Sequence, residues 1–139
     1  MKKTFLEINI KALEHNYFKI KSKIGNETKL LGVVKANAYG SDLIVIAKKL
    51  EELKIDYLAV AYVSEGVRLR KAGVKTPILV FIPQVEDIED IVKYQLQPSI
   101  YSFYFLNNFN FHLKSNNIQG YPCHLKINTG LNRIGFNEE

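Results

Sequence analysis

Residues 29–54 read KLLGVVKANAYGSDLIVIAKKLEELK, and within this stretch the hydrophobic period changes once. Leu30 to Val34 is a short unbroken apolar run of the strand type, and Asn37 to Gly40 supplies turn residues. A helix then opens at Ser41 or Asp42, either of which can cap it. Leu43, Ile46, Ala47, Leu50 and Leu53 recur at helical spacing, while Lys48, Lys49, Glu51, Glu52 and Lys54 supply the wet face. The stretch is therefore a βα unit whose helix packs back on its strand. It also places Lys35 where a buried strand ends. A lysine is seldom fully buried unless something pairs with it or uses it. This window leaves two readings of Lys35: a solvent-facing residue whose stem lies along the apolar surface, or an amine with a chemical task.

The same alternation recurs along the chain. YLAVAYV (Tyr57 to Val63) reads as a second strand, with Ser64 as the cap of a helix from Glu65 to Ala72 and Gly73 as its stop. In TPILVFI, Pro77 sits at the strand's start, where a missing N–H is tolerated. Pro83 closes that strand, and a short helix follows from Glu86 to Tyr94 with acidic residues in its first turn. Gln97 to Tyr101 is a fourth strand, followed by a polar and aromatic helix from about Phe103 to Lys114, and Cys123 to Asn128 is a fifth. Ahead of these, Phe5 to Ile10 alternates as an edge or accessory strand and Ala12 to Ile24 reads as an amphipathic helix. Successive parallel strands belong to a doubly wound sheet or to a (β/α)8 barrel. A barrel needs eight units over about 250 residues; this chain holds about five, so a barrel reading makes it a partial one.

Composition narrows the function classes. The 139 residues are 47% hydrophobic and 24% charged, as in one ordinary globular domain. A single cysteine, Cys123, cannot form an internal disulfide, and no His/Cys cluster has zinc-ligand spacing. The start MKKTFLEINI lacks a sustained apolar region or cleavage site for export, and no apolar run reaches membrane-spanning length, so a soluble cytoplasmic protein is expected. The net charge of +5 comes from nineteen basic residues spread along the chain. That spread argues against nucleic acid and suits a small anionic ligand such as a phosphate.

Lys35, Tyr39 and the Gly40 turn lie just past the carboxyl end of a parallel strand, where active sites sit in both architectures. A lysine in a partly apolar mouth loses hydration, which favours the neutral amine that forms a Schiff base or acts as a base. In HLKINTGLNRIG, Lys126 and Arg133 flank a second strand end. The arginine fork suits a carboxylate or phenolate oxygen, and Thr129 and Gly130 let backbone approach a ligand. Spacing alone leaves Arg133 open as a surface arginine beside a turn, and Tyr39 as a packed aromatic with a wet hydroxyl. His15, His112 and His124 have no partner at motif spacing and read as structural. Cys123 reads as a small core filler, and the aromatics between Tyr101 and Phe111 as core.

Taken together, VVKANAYG, YLAVAYVSEGVRLRKAG, PILVF, QPSIYS and HLKINTGLNRIGF resemble, in order and spacing, the amino-terminal half of bacterial alanine racemases, and LEINIKALEHN is similar to that family's first strand and helix. The resemblance implies an α/β fold, a partial (β/α)8 TIM-type barrel spanning residues 1–139, with the later strands and a carboxy-terminal β domain absent. It implies pyridoxal 5'-phosphate as cofactor, anchored by Lys35, which also serves as base on one face of the substrate α-carbon. Tyr39 matches a tyrosine that contacts the cofactor phosphate. Arg133 matches an arginine near the phenolic oxygen and the substrate carboxylate, and Lys126 a supporting lysine that is carbamylated in some members. Leu131 falls where methionine often lies beside the substrate.

The implied reaction interconverts L- and D-alanine for peptidoglycan synthesis in a cytoplasmic homodimer, whose second subunit supplies the opposing tyrosine. Ser41 and Asp42 replace the family's usual histidine and glycine, and Asn128 stands where aspartate is common. The alternatives are a pyridoxal-phosphate carrier with the same barrel and a related amino-acid racemase or decarboxylase. The isolated chain is expected to be inactive, because five units leave an open sheet edge.

Overall fold

The computed structural model describes residues 4–25 and 27–137. After α1 (Ile10–Ile24), β1 (Leu31–Val33) leads through a short turn, α2 (Lys35–Gly40), into α3 (Leu43–Glu52). There follow β2 (Tyr57–Val60), α4 (Val63–Lys71), β3 (Ile78–Val80), α5 (Ile88–Lys93), β4 (Gln97–Ile100), α6 (Phe103–Ser115) and β5 (His124–Leu125). The five strands form one sheet in the order β1-β2-β3-β4-β5, and every pairing is parallel. A doubly wound sheet reverses its strand order at a switch point; this one never does, which selects the barrel-type winding between the two architectures.

The sheet is also curled. Tyr57 on β2 and His124 on β5 meet edge to face with ring centroids 5.9 Å apart. In a flat sheet three strand spacings would hold those strands about 14 Å apart. Residues of opposite parity face the helices. Leu58, Val60, Ile78, Val80 and Ile100 are buried there in one cluster with Leu43, Ala47, Leu69, Ile91 and Phe105. Ala59 and Leu79 on the other face are buried as well, and burial on both faces explains why these strands read as continuous apolar runs.

Two glycines set how closely layers approach. A Cβ at Gly66, inside α4, would stand 2.9 Å from Cδ1 of fully buried Leu96, and one at Gly32 would stand 2.8 Å from Cδ1 of Ile55. Side chains satisfy the backbone groups left over at the strands' amino-terminal ends. Asp56 accepts from Leu30 N at 2.7 Å and pairs with Lys21 at 3.2 Å. The Leu30 N–H and then the Lys21 ammonium hold the Asp56 carboxyl below its ordinary range. Glu51 of α3 accepts from the N–H groups of Lys75 and Thr76 at 2.6 and 2.7 Å. Arg70 donates to the carbonyls of Val74, Thr76, Tyr94 and Gln95. The Tyr121 hydroxyl lies within hydrogen-bond reach of the Ile91 and Leu96 carbonyls, and burial pushes its pKa up to about 12.

Several sequence expectations need correction. Residues 4–9 form no strand: Asn9 caps α1, which starts at Ile10, two residues before the expected Ala12, and Phe5 is 85% exposed. Alternation marks a strand only when a neighbour can pair with it, and among the described residues none does here. The helix expected over Glu65 to Ala72 with Ser64 as its cap begins at Val63 with Tyr62 at its N-cap. The fifth strand shrinks to His124–Leu125 followed by an isolated parallel bridge, Ile127 to Phe136. Cys123 is exposed rather than core. Of the α6 aromatics, Phe105 and Phe109 are core and stack at 5.7 Å, whereas Phe103, Tyr104 and Phe111 are exposed. Among the described residues no helix is long and apolar enough to cross a membrane.

Gly66→Ala should lower stability by about 1–3 kcal/mol in urea unfolding, although alanine is the better helix former; an unchanged midpoint would mean that Leu96 repacks freely. Tyr121 links stability to alkaline pH. Its folded pKa is raised, so its contribution is complete below its ordinary value of 10.0 and is lost as pH rises toward about 12. Tyr121→Phe should flatten the fall in melting temperature across that window.

Candidate active site

The register of the sheet brings one layer of side chains together. Val33 pairs with Ala59, Ala59 with Leu79, Leu79 with Gln97, and Ser99 with His124. Two residues further along each strand direction, the same parity places Lys35, Ala61, Phe81 and Ser99 in one tier with His124. All five line a cavity of about 440 Å³ at the carboxyl ends of the strands. Lys126 and Arg133 line it as well.

Each cation is held by a different local device. After Lys35 the backbone turns left-handed: Ala36, Asn37, Ala38 and Tyr39 have φ between 51° and 55°, and Gly40 has φ 84°. At roughly 1–2 kcal/mol per residue, four such non-glycine residues cost about 4–8 kcal/mol. Specific bonds offset that strain. Ala38 N donates to Val34 O at 2.8 Å, and Ala36 N donates to the Glu65 carboxylate at 2.6 Å. The Asn37 amide donates to Ser41 O and accepts from Leu43 N, both at 3.3 Å. Asp42 then caps α3, accepting from Ile44 N and Val45 N at 3.0 and 2.9 Å. Of the two candidate caps, Asp42 is the one used, so its carboxylate is engaged by the helix start.

Arg133 is carried by a loop folded back on β5. Asn128 N donates to Phe136 O at 2.7 Å, and Phe136 N to Lys126 O at 2.9 Å. Gly135 (φ +124°) permits this approach, since a Cβ there would stand 2.9 Å from Asn128 N. The Asn128 side chain organises the loop's interior: Oδ1 accepts from Gly130 N and Asn132 N, and Nδ2 donates to the side-chain oxygens of Asn132 and Asn137. An aspartate, common at this position in the resembled family, lacks those two donors.

Three of the five sequence candidates, Lys35, Lys126 and Arg133, thus share one cavity wall. Tyr39 and Leu131 lie outside that wall, 68% and 69% exposed. His124, read from sequence as structural, lines the cavity while its ring nitrogen lies 2.9 Å from the Gln97 side-chain oxygen. Its partner sits 27 residues away in sequence, beyond the reach of motif spacing. Glu65 was legible only as a helix residue. The cavity wall carries two lysines and an arginine and no carboxylate, a donor set that suits an anionic ligand with several oxygens. Among the described residues no group of His, Cys, Asp and Glu clusters as a metal site. The volume fits a planar cofactor-sized ring.

A curled parallel sheet with its cationic side chains at the strands' carboxyl ends defines a segment of a (β/α)-barrel domain. The family model described as alanine racemase, N-terminal domain, matches residues 8–139, and the chain belongs to that family. The alanine racemase of Thermodesulfovibrio yellowstonii is 38% identical over 137 residues, covering 95% of this chain and 36% of that protein. The solved alanine racemase of Clostridium difficile 630 superposes with a TM-score of 0.88 at 38% identity, over 93% of this chain and 34% of that one. Its complex with cycloserine matches with the same TM-score. The chain therefore spans about a third of the length of the relatives it matches.

Because Ala36 is exposed and left-handed, Ala36→Gly should be neutral or stabilising by up to about 1 kcal/mol. Ala36→Val should instead destabilise, by more than about 1 kcal/mol. Paired denaturant unfolding curves separate the two.

Proposed function

We propose that this chain forms the amino-terminal part of a pyridoxal-phosphate-dependent alanine racemase, with the later barrel strands and a carboxy-terminal β domain supplied by residues outside it. The reaction is the interconversion of L- and D-alanine, in a cytoplasmic homodimer that supplies D-alanine for peptidoglycan. The observation that carries this reading is the convergence of Lys35, Lys126 and Arg133, from opposite ends of the chain, on one cavity free of carboxylates.

The residues present fit the cofactor. Lys35 Nζ would anchor it covalently, and Arg133 would face its phenolic oxygen or the substrate carboxylate with a permanently charged fork. Tyr39 and Leu131 would serve from the rim, the first toward the phosphate and the second beside the substrate. When bound, pyridoxal phosphate supplies the electron sink that makes an amino acid's α-proton acidic. The chain's own task is then proton handling and orientation. Lys35 Nζ would serve one face of the α-carbon, taking the proton from it in one direction of the reaction and delivering a proton to it in the other, while the opposite face is served by the tyrosine of the second subunit. Arg133 holds the carboxylate so that the Cα–H bond stays aimed at the amine. Lys126, beside it on the wall, adds positive charge that keeps the anionic end of the substrate in place, and carbamylation of Lys126 would turn that charge into an acceptor for the Arg133 fork. Leu79, Phe81 and Ile134 supply the apolar part of the same cavity lining.

Lys35→Ala in the complete racemase carrying this chain should abolish the absorption band of bound cofactor and lower alanine racemisation by about 10²–10⁴-fold or more. Retained racemisation would overturn the assignment.

A further inference from the structure

We propose that Glu65, on α4, is a positioning residue for Lys35; the proposal rests on the reading of Lys35 as the functional amine. Glu65 divides its carboxylate between two strand ends. One oxygen accepts from Ala36 N at 2.6 Å, the residue directly after Lys35. The other accepts from Ala61 N at 2.8 Å and Tyr62 N at 3.3 Å, where β2 hands over to α4. As N3 of α4, Glu65 could cap its own helix with the second oxygen alone. The first oxygen adds nothing to that cap. It reaches across to a neighbouring βα unit and holds the first residue of a left-handed turn that an L-amino acid backbone resists.

Ala36 N–H has no ladder partner past the end of β1, so without Glu65 the peptide after Lys35 is free to relax toward right-handed geometry. Such a relaxation rotates the Lys35 Cα–Cβ bond and takes the amine out of the tier it shares with Ala61 and His124. The N–H groups of Ala36, Ala61 and Tyr62 are all donors, so the site needs two acceptor oxygens on one side chain. Glutamate supplies them. Glutamine turns one into a donor facing an N–H, and aspartate, one methylene shorter, retains the local cap but falls short of Ala36.

The test compares Glu65→Gln and Glu65→Asp with the parent in the complete protein by two readouts. The first is amide hydrogen exchange at Ala36, with the amides of Val67 and Leu69 in α4 as internal controls. The second is the rate at which pyridoxal 5'-phosphate followed by borohydride labels Lys35, with exposed Lys93 as reference. Exchange at Ala36 should rise, and labelling of Lys35 relative to Lys93 should change, each by about tenfold or more, since loss of a charge-assisted hydrogen bond is worth about that factor. The α4 amides should keep their protection in Glu65→Asp. Parent-like exchange and labelling in both variants, or loss of α4 protection in parallel with Ala36, would reduce Glu65 to a helix cap and overturn the proposal. If the parent itself is not labelled at Lys35, the cofactor reading fails, and Ala36 exchange alone decides the role of Glu65.

Discussion

Parallel strands leave backbone donors and acceptors stranded at both ends of the ladder, and burying them unpaired costs about as much as losing a hydrogen bond. The rest of this molecule is arranged around that constraint. Asp56 and Glu51 take the N–H groups ahead of β1 and β3, and Arg70 takes four carbonyls around the ends of α4 and α5 and the approach to β3. Glu65 does the same work at the carboxyl ends of β1 and β2. Each ionised side chain spans two neighbouring βα units, so satisfying the backbone and fixing one unit against the next are a single act.

At the carboxyl ends this arrangement becomes functional geometry. The curl that brings Tyr57 against His124 also gathers strand ends from β1 to β5 around one cavity. Three cations meet there without a carboxylate, an arrangement that favours an anionic ligand and disfavours the empty site. The left-handed turn of Ala36 to Tyr39 stores backbone strain directly after Lys35, and surrounding bonds keep it in place. The chain carrying this cavity belongs to the alanine racemase N-terminal-domain family.

Most of the fold could be read from residues 29–101, because buried parallel strands and amphipathic helices have periods that a single chain displays. Errors fell where local pattern and tertiary partner disagree. Phe5 to Ile10 alternates like a strand yet pairs with nothing described. Ser64 has the chemistry of a cap, but Glu65, tied to Ala61 and Tyr62, starts the helix earlier. Cys123 lies outside the short β5 and so is wet. On α6, a run of aromatics hid the fact that only one helical face, through Phe105 and Phe109, reaches the core.

The amino-acid sequence by itself determined the βα alternation, the place of Lys35 at a strand end, and the motif residues Lys126 and Arg133. The first two follow from local chemistry (hydrophobic period, turn residues and residue type), whereas Lys126 and Arg133 stand out through the resemblance of their motif. Only the tertiary structure decided that the strands run in unreversed order and curl, that Lys35, Lys126 and Arg133 share one cavity while Tyr39 and Leu131 stay outside its wall, and that Glu65 grips Ala36. Those relations join residues 29 to about a hundred positions apart through register and curvature. Register and curvature come from how successive units pack, and no single stretch of chain encodes them alone.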